Sequence, residues 1–287
     1  MTYHLVRLLS RIVCLLPGRF CDALGRGIAL CLWLFLPRKR KELAAAQVAL
    51  CLHTDAKESR RIAKESALRF GPMLFEVLRF PVILRRMAEY VEIEGAEYLR
   101  EGLKAGRGGV IATAHAGNWE LMGGALAQAG FPLIGVAMRQ RDAAMDRFIN
   151  EYRTLVGMHI TYKDDVREMF RMMKEGWIIG LLADQDTNRH DGIVLDFFGQ
   201  QTNCVPGPAS MARTAGIPVF PGYITRRKDG THKIVIHPPV EVPRTKDKRQ
   251  DIRTAAQAVN RVLEQHIREH PEEWFWLHDR WKSMRPD

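Results

Sequence analysis

Residues 108–124, GGVIATAHAGNWELMGG, decide the fold because they join a strand, a polar turn and a helix within one short segment. The apolar letters VIATA follow a pair of glycines, which predicts a buried strand. His115 comes directly after this strand, and Gly117 and Asn118 are typical turn residues. A helix is predicted to begin at Trp119. The segment therefore predicts an α/β sheet with polar side chains at a strand end.

His115 and Glu120 have the spacing H-x4-[DE]. We expect the Glu120 carboxylate to contact one imidazole nitrogen, which would leave the other nitrogen as a proton acceptor for acyl-transfer chemistry. The same spacing follows His53 and His159, but both lie in charged segments typical of helix starts. Only His115 follows an apolar strand, where open α/β sheets place their ligand sites. The alternative is a turn histidine bonded to a backbone carbonyl.

The length and composition predict one large domain, or a domain plus an appendage, with an anionic partner. The chain has 287 residues, of which 46% are hydrophobic, and 43 Lys and Arg against 33 Asp and Glu give a net charge of +10. Such a charge favours nucleic acid, an acidic carrier protein, or phosphorylated lipid and its membrane surface. Nucleic acid is disfavoured because the basic residues are scattered and no recognition motif is present. Five cysteines without C-x-x-C spacing predict neither a disulfide framework nor a zinc site.

The N-terminal segment, residues 1–37, is apolar but interrupted by charged side chains. Its uninterrupted part, 27–36, has about half the length that a spanning helix needs. We therefore expect an interfacial or shallowly inserted anchor, with two packed helices of a soluble domain as the alternative. The basic run at 38–41 indicates the cytoplasmic side. This predicts a helical membrane-associating segment over 1–52 and a catalytic domain over 53–287.

Strands and helices alternate after residue 90, following a helical region over 39–90. The apolar segment WIIGLLA at 177–183 is predicted to be a central strand, and IPVFPGYI and THKIVIHP are predicted to pair antiparallel through 226–230. A final helix is predicted over 251–269. The fold class is therefore α/β, with a mixed, mostly parallel central sheet flanked by helices and a helical N-terminal membrane-associating segment.

Four motifs occur in a fixed order along residues 90–285: HAGNWEL, ADQD, DFFG in the loop that follows, and PEEWFWLHDRWK. With them the chain resembles the late acyltransferases of lipid A biosynthesis, within the wider H-x4-[DE] glycerolipid acyltransferases. The resemblance implies a glycerolipid acyltransferase-like fold. It also implies transfer of a fatty acyl chain from a thioester, usually on acyl carrier protein, to a hydroxyl of an anionic membrane glycolipid at the cytoplasmic face of the bacterial inner membrane.

The resemblance also assigns roles to single residues. His115 and Glu120 match the catalytic pair of the family, Arg153 matches its arginine in the helix after the second strand, and Asp184 matches the first acid of its D-[QH]-D motif. Arg153 and Arg139 are expected to bind lipid phosphate, for which a guanidinium is suited. Asp184 is expected to orient Arg153 or to cap the next turn.

The predicted mechanism uses His115 as the general base that removes a proton from the acceptor hydroxyl, with Glu120 orienting it. The backbone amides of Gly117 and Asn118 are candidates to bind the oxyanion. No metal or cofactor is expected. The alternatives are acylation of a lysophospholipid or another glycolipid, and a non-catalytic peripheral membrane scaffold with a degenerate acyltransferase fold.

The aromatic C-terminal motif has two interpretations. Its rings lie beside basic residues, which suits a membrane interface, but they could equally belong to the core. The residues concerned are Trp274, Phe275, Trp276 and Trp281.

Overall fold

A computed structural model describes residues 2–104, 106 and 108–285, so the outer limits of the two predicted domains, residues 1 and 287, lie outside the described residues. The helices are α1 (Thr2–Leu15), α2 (Gly18–Phe35), α3 (Arg38–Leu52), α4 (Ala56–Leu78), α5 (Phe80–Ile83), α6 (Met87–Tyr90), α7 (Ala96–Lys104), α8 (Trp119–Gln128), α9 (Ala143–Leu155), α10 (Val166–Lys174), α11 (Gly207–Ala215) and α12 (Lys248–Glu269). The strands are β1 (Val91–Glu94), β2 (Gly109–Thr113), β3 (Leu133–Ala137), β4 (His159–Tyr162), β5 (Ile178–Leu182), β6 (Ile193–Phe197), β7 (Gln200–Cys204), β8 (Val219–Arg226) and β9 (His232–Ile236). Short 3-10 turns lie at Leu84–Arg86 and Lys282–Met284.

Strand β2 lies in the middle of the central sheet, whose order is β1-β9-β8-β2-β5-β3-β4. It pairs in parallel with β5 on one side and with β8 on the other. The neighbouring pairs are parallel throughout except β8 with β9, which run antiparallel as predicted. The mixed, mostly parallel sheet is therefore confirmed, and so is the interior position of the strand predicted at 177–183.

The core lies on both faces of β2, because its successive side chains point to opposite sides of the sheet. Ile111 packs into the cluster that contains Leu121 of α8, whereas Val110 and Ala112 pack with Met173 of α10. All three β2 side chains are essentially inaccessible to solvent. The strand is thereby held rigidly, and its carboxyl end is a fixed platform for the residues that follow.

The N-terminal helices pack directly on the rest of the chain. The Ser10 hydroxyl of α1 donates to the carbonyl of Leu78 at 2.6 Å and lies 2.5 Å from the hydroxyl of Tyr152 in α9. Helices α2 and α4 touch at Gly25 and Gly71, where a Cβ on Gly71 would lie 1.9 Å from the Gly25 carbonyl oxygen. The division at residue 52 stays a prediction.

Large apolar side chains are exposed along α1 and α2. In the described part of the chain, no single helix has both the length and the hydropathy of a membrane span, and α2 with α3 meets those criteria only as a pair bent by 108°. Some of the exposed side chains repeat at helical spacing and so form a row along each helix. These rows are Leu5, Leu8, Ile12 and Leu15 on α1, and Leu24, Ile28, Leu32 and Phe35 on α2. Four further residues of the two helices are also exposed, namely Leu9, Phe20, Leu30 and Leu34.

The β6–β7 hairpin is a feature that the sequence interpretation missed, since it assigned this region to a loop. Phe197 pairs with Gln200 across a two-residue turn formed by Phe198 and Gly199, with φ values of 54° and 74°. Two successive positive φ angles are the mark of a type I′ turn, which usually contains Asn-Gly or Asp-Gly. The pair Phe-Gly does not carry that signal.

Candidate active site

His115 and Asp184 follow adjacent parallel strands and meet at their carboxyl ends. The register of β2 and β5 pairs Thr113 with Leu182, the last residue of each strand. Just beyond, His115 Nδ1 lies 2.8 Å from Asp184 Oδ1, and the backbone N–H of His115 donates to Asp184 Oδ2 at 3.0 Å. Asp184 therefore fixes both the imidazole ring and the backbone of His115.

The protonation state of Asp184 decides which nitrogen of His115 carries the proton. The Asp184 side chain is buried, and its Oδ2 also accepts a hydrogen bond from Trp274 Nε1 at 2.8 Å. Burial acts to raise the pKa of Asp184, but His115 and Trp274 outweigh it and hold the pKa below its ordinary value. An ionised carboxylate only accepts hydrogen bonds, so Nδ1 donates and Nε2 is left as the proton acceptor of the ring.

Glu120 contacts Arg153 instead of His115, so the predicted contact between His115 and Glu120 is wrong. Arg153 Nε donates to Glu120 Oε2 at 2.8 Å and Arg153 Nη2 donates to Oε1 at 2.6 Å. Glu120 lies in the first turn of α8 and faces α9, where the guanidinium satisfies both carboxylate oxygens. The expectation that Asp184 orients Arg153 is wrong for the same reason, because Glu120 does so.

Gly117 shapes the turn between β2 and α8 but does not offer its amide to a substrate. Its φ is +60°, and a Cβ there would lie 2.2 Å from the Ile224 carbonyl oxygen, so the position suits only glycine. The Gly117 N–H donates to the carbonyl of Glu273 at 3.0 Å. The prediction that this amide binds an oxyanion is therefore wrong, because the amide already has a partner.

Asn118 caps α8 and is buried. Its Oδ1 accepts from the backbone N–H of Leu121 at 3.0 Å, while its Nδ2 donates to Glu76 Oε2 at 2.7 Å. Both ends of the side-chain amide are thus engaged within the protein. The Asn118 side chain supports the turn, and the predicted contact of this residue with substrate stays a prediction.

Arg139 lies at the edge of the sheet. Its guanidinium is exposed and stacks on the ring of Tyr162, with Cζ 3.8 Å from the ring centroid. Tyr162 ends β4, which is three strands away from β2 in the sheet order, or about 14 Å at the usual strand spacing. The structure therefore places Arg139 apart from His115, and binding of lipid phosphate by Arg139 stays a prediction.

The C-terminal aromatic motif lies against the turn that joins β2 to α8, residues 114–118. The backbone N–H of Phe275 donates to the carbonyl of His115 at 3.0 Å, and Ala116 forms a bridge with Trp274. Trp274 and Trp276 are buried, which places these two rings in the core. The role of Trp274 as a donor to Asp184 was missed, because its only signal was membership of an aromatic cluster that had two interpretations.

An apolar groove of about 240 Å³ lies between α2 and α4, and aromatic ring contacts connect one of its lining residues to His115. The His115 side chain is 22% exposed, and its ring packs edge-on against Trp119 with centroids 5.0 Å apart. Trp119 in turn contacts Phe70, which lines the groove and packs on Phe275. The other lining residues are Gly25, Ile28, Ala29, Leu32, Trp33, Leu36, Ala67, Gly71, Leu74, Phe75 and Leu277.

Known proteins share this chain's sequence over most of its length. A phosphatidylinositol mannoside acyltransferase of Mycolicibacterium smegmatis is 29% identical over 72% of this chain and 67% of its own. The lipid A biosynthesis lauroyltransferase of Escherichia coli is 25% identical over 95% of this chain and 88% of its own. A solved structure, the 1-acyl-sn-glycerophosphate acyltransferase of Thermotoga maritima, aligns with 90% of this chain and 99% of its own at 16% identity and a TM-score of 0.39, which is too loose for further argument.

The family model described as bacterial lipid A biosynthesis acyltransferase matches residues 1–283. A match over nearly the whole chain confirms the resemblance drawn from the four ordered motifs. The relatives are acyltransferases that act in lipid A or glycolipid biosynthesis. This chain, with a histidine and an aspartate joined at the carboxyl end of its central strands, belongs to the bacterial lipid A biosynthesis acyltransferase family.

Proposed function

We propose that this protein transfers a fatty acyl chain from an acyl thioester, with acyl carrier protein as the donor, to a hydroxyl of an anionic membrane glycolipid such as a lipid A precursor. The observation that carries the proposal is the hydrogen bond of 2.8 Å from His115 Nδ1 to the buried Asp184 carboxylate. This bond leaves Nε2 of a partly exposed ring as a base. A base fixed in this way is what activation of a hydroxyl requires.

In the proposed reaction, His115 Nε2 takes the proton of the acceptor hydroxyl as its oxygen attacks the thioester carbonyl carbon. Asp184 remains ionised and stabilises the imidazolium that forms. The tetrahedral intermediate then expels the thiolate, which receives the proton from His115, so that a C–O bond replaces the C–S bond. The backbone amides of Trp119 and Glu120 are the candidates to bind the oxyanion in place of the Gly117 amide, because a helix leaves its first amides without intrahelical partners and the Leu121 amide already donates to Asn118.

Arg153 is the proposed contact for an acceptor phosphate. Two of its five N–H groups donate to Glu120, so the guanidinium keeps donors for a phosphate oxygen. Its side chain is 21% exposed, and that of Glu120 is 15% exposed. Glu120 thus has a positioning role in this proposal: it orients Arg153 and does not touch the base.

The groove between α2 and α4 is the proposed place for a hydrocarbon chain. It is lined almost entirely by apolar and aromatic side chains, and one of them, Phe70, contacts Trp119, whose ring packs on His115. Binding sites for apolar ligands have this character, with few polar groups placed near the reacting atoms. A fatty chain bound in the groove would be shielded from water, with the donor's thioester carbonyl or the acceptor's hydroxyl directed toward the base.

A transfer assay with the purified chain tests the proposal. Acyl carrier protein loaded with a labelled acyl group is offered with a lipid A precursor, a phosphatidylinositol mannoside or a lysophospholipid, and products are weighed by mass spectrometry. We expect one added acyl group on a glycolipid acceptor. Acylation of the lysophospholipid alone would refute the glycolipid assignment, and no transfer to any acceptor would favour a non-catalytic scaffold.

Membrane association at the cytoplasmic face of the inner membrane is part of the proposal. Both α1 and α2 carry exposed apolar side chains, and the basic run at 38–41, which begins α3, directly follows α2 in the chain. An interfacial helix usually inserts its apolar side chains into the acyl region of the membrane, while its basic side chains bind anionic headgroups. The groove between α2 and α4 would then open beside the lipid that it has to admit.

The double substitution Leu8→Glu/Ile12→Glu is expected to weaken binding to phosphatidylglycerol-containing vesicles by about 100-fold or more, since each side chain gains roughly 1.5–3 kcal/mol on burial. Both residues are about half exposed on α1. Vesicle flotation measures the bound fraction. The matched control is Val166→Glu, an equally exposed apolar residue on α10. Equal loss of binding in the control, or none in the double variant, would contradict an α1 membrane face.

A further inference from the structure

Glu76 is a carboxylate buried beside residues 114–118, the turn between β2 and α8 that is called the catalytic turn below. It lies in the apolar run MLFEVL of α4, and only 3% of its surface is exposed. Burying a charge is costly unless it is paired and hydrogen bonded, so its partners explain why it is there. One of these partners is the Asn118 side chain, whose Nδ2 donates to Glu76 Oε2 at 2.7 Å. The carboxylate thereby reaches the residue that begins α8.

The remaining partners of Glu76 come from three further elements. Arg226 of β8 forms an ion pair with Nε 3.1 Å from Oε1, and His232 of β9 lies with Nε2 3.4 Å from Oε2. The hydroxyl of Tyr90, at the end of α6, donates to Oε1 at 3.2 Å. Arg226 also pairs with Asp22 of α2 at 2.6 Å. Glu76 thus joins the N-terminal helices and the sheet to the start of α8.

The Asn118 side chain transmits this link to the reacting groups. Its Oδ1 accepts a hydrogen bond from the Leu121 amide at 3.0 Å. The side chain that is hydrogen bonded to Glu76 therefore also fixes the first turn of α8. That turn contains Glu120, which orients Arg153, and Trp119, whose ring packs on His115. A rotation of Asn118 would therefore displace several groups of the site together.

We infer that Glu76 is a positioning residue for acyl transfer, which acts by holding Asn118 and with it the catalytic turn. Nothing in the mechanism requires Glu76 to touch substrate, and its contacts do not include His115 or Asp184. The inference rests on the proposed function for its kinetic consequence. The structural part of the inference is that Glu76 of α4 keeps the turn ordered, and this part rests on the contacts alone.

The test compares Glu76→Gln with Asp251→Asn. Asp251 is also a 3% exposed carboxylate, and it accepts from Arg213 at 2.8 Å on α12, away from the turn. In Glu76→Gln we expect kcat to fall by about 10- to 100-fold, since misplaced reacting groups slow the chemical step. KM for a phosphorylated acceptor should rise as well, because Glu120 in the same turn orients Arg153. The pH dependence of kcat should keep its midpoints. Asp251→Asn should lower the unfolding temperature. At temperatures below its unfolding transition, its kcat should stay within about twofold of the wild-type value.

Two further measurements separate positioning from a general loss of stability. Hydrogen exchange should become faster in the segment 117–122 of Glu76→Gln and stay unchanged there in Asp251→Asn. In the background of Asn118→Ala, Glu76→Gln should have no further effect on kcat, because its route to the site is already broken.

Unchanged exchange, unchanged kcat, or an undiminished effect in the Asn118→Ala background would each overturn the inference, and so would shifted pH midpoints. If the wild-type protein acylates none of the acceptors, the proposed function fails. The exchange comparison then decides by itself whether Glu76 orders the turn.

Discussion

Replacement of His115 by alanine is expected to lower the rate of acyl transfer by about 10²- to 10⁴-fold, the usual contribution of a general base. The ring is the proposed proton acceptor, and alanine supplies no group that could replace it. The measurement is kcat with acyl carrier protein loaded with a labelled acyl group. Binding of the variant to vesicles should not change, because the ring lies in the turn after β2 and outside the apolar faces of α1 and α2.

The two other histidines with the same sequence spacing provide controls for His115→Ala. His53 is exposed and follows the last residue of α3 as its C-cap, with a φ of 53°. His159 lies on the edge strand β4 with Nε2 3.2 Å from Glu168. Neither contacts the carboxylate that holds His115. We expect His53→Ala and His159→Ala to retain wild-type kcat. Transfer that survives His115→Ala at the wild-type rate would end the general-base proposal.

The position of His115 at the end of a buried strand could be predicted from sequence because local signals agreed there. A short apolar strand after two glycines, followed by His115, a glycine turn and a helix start, predicted a strand, a turn and a helix, and the structure has β2, the turn and α8 in that order. The strand at 177–183 was similarly strong. Both depend on an apolar run of a few residues bounded by glycine or a turn, which is the main sequence signal of a buried strand.

The partner of His115 could not be predicted because it depends on the order of the strands. Glu120 is near His115 in sequence, whereas Asp184 becomes its neighbour only because β5 lies beside β2 in the sheet. Sequence gives strand positions but does not by itself give their lateral order. The same reason explains Trp274, which reaches Asp184 from a segment 90 residues further along the chain.

The sequence also contained a weaker signal of the buried polar network around Glu76. A single glutamate within MLFEVL breaks an apolar helical run, and a charge at such a position calls for a buried partner. The sequence does not say which partner, because Asn118, Arg226 and His232 come from other elements. An isolated charge in an apolar segment therefore predicts a buried polar network, but not its members.

Asp184→Asn is expected to lower kcat by about 10²- to 10⁴-fold, although the side chain keeps its size, because it reverses the tautomer of His115. Asp184 Oδ2 accepts from the His115 backbone N–H and from Trp274 Nε1, so the carbonyl oxygen of asparagine has to occupy that side. The amide NH₂ group then faces Nδ1 of the ring. Since that group can only donate, Nδ1 becomes the acceptor and the proton moves to Nε2, which can no longer take a proton from the acceptor hydroxyl.

Nitrogen-15 NMR of the histidine ring measures this tautomer directly, with the proton on Nδ1 in the wild-type protein and on Nε2 in Asp184→Asn. Glu120→Gln is the matched comparison, because it changes the other carboxylate of the site, whose partner is Arg153. We expect Glu120→Gln to keep the wild-type tautomer and to raise KM for a phosphorylated acceptor. If Asp184→Asn kept both the wild-type tautomer and kcat, Asp184 would not orient the base. If Glu120→Gln reversed the tautomer instead, the assignment of the two carboxylates would have to be exchanged.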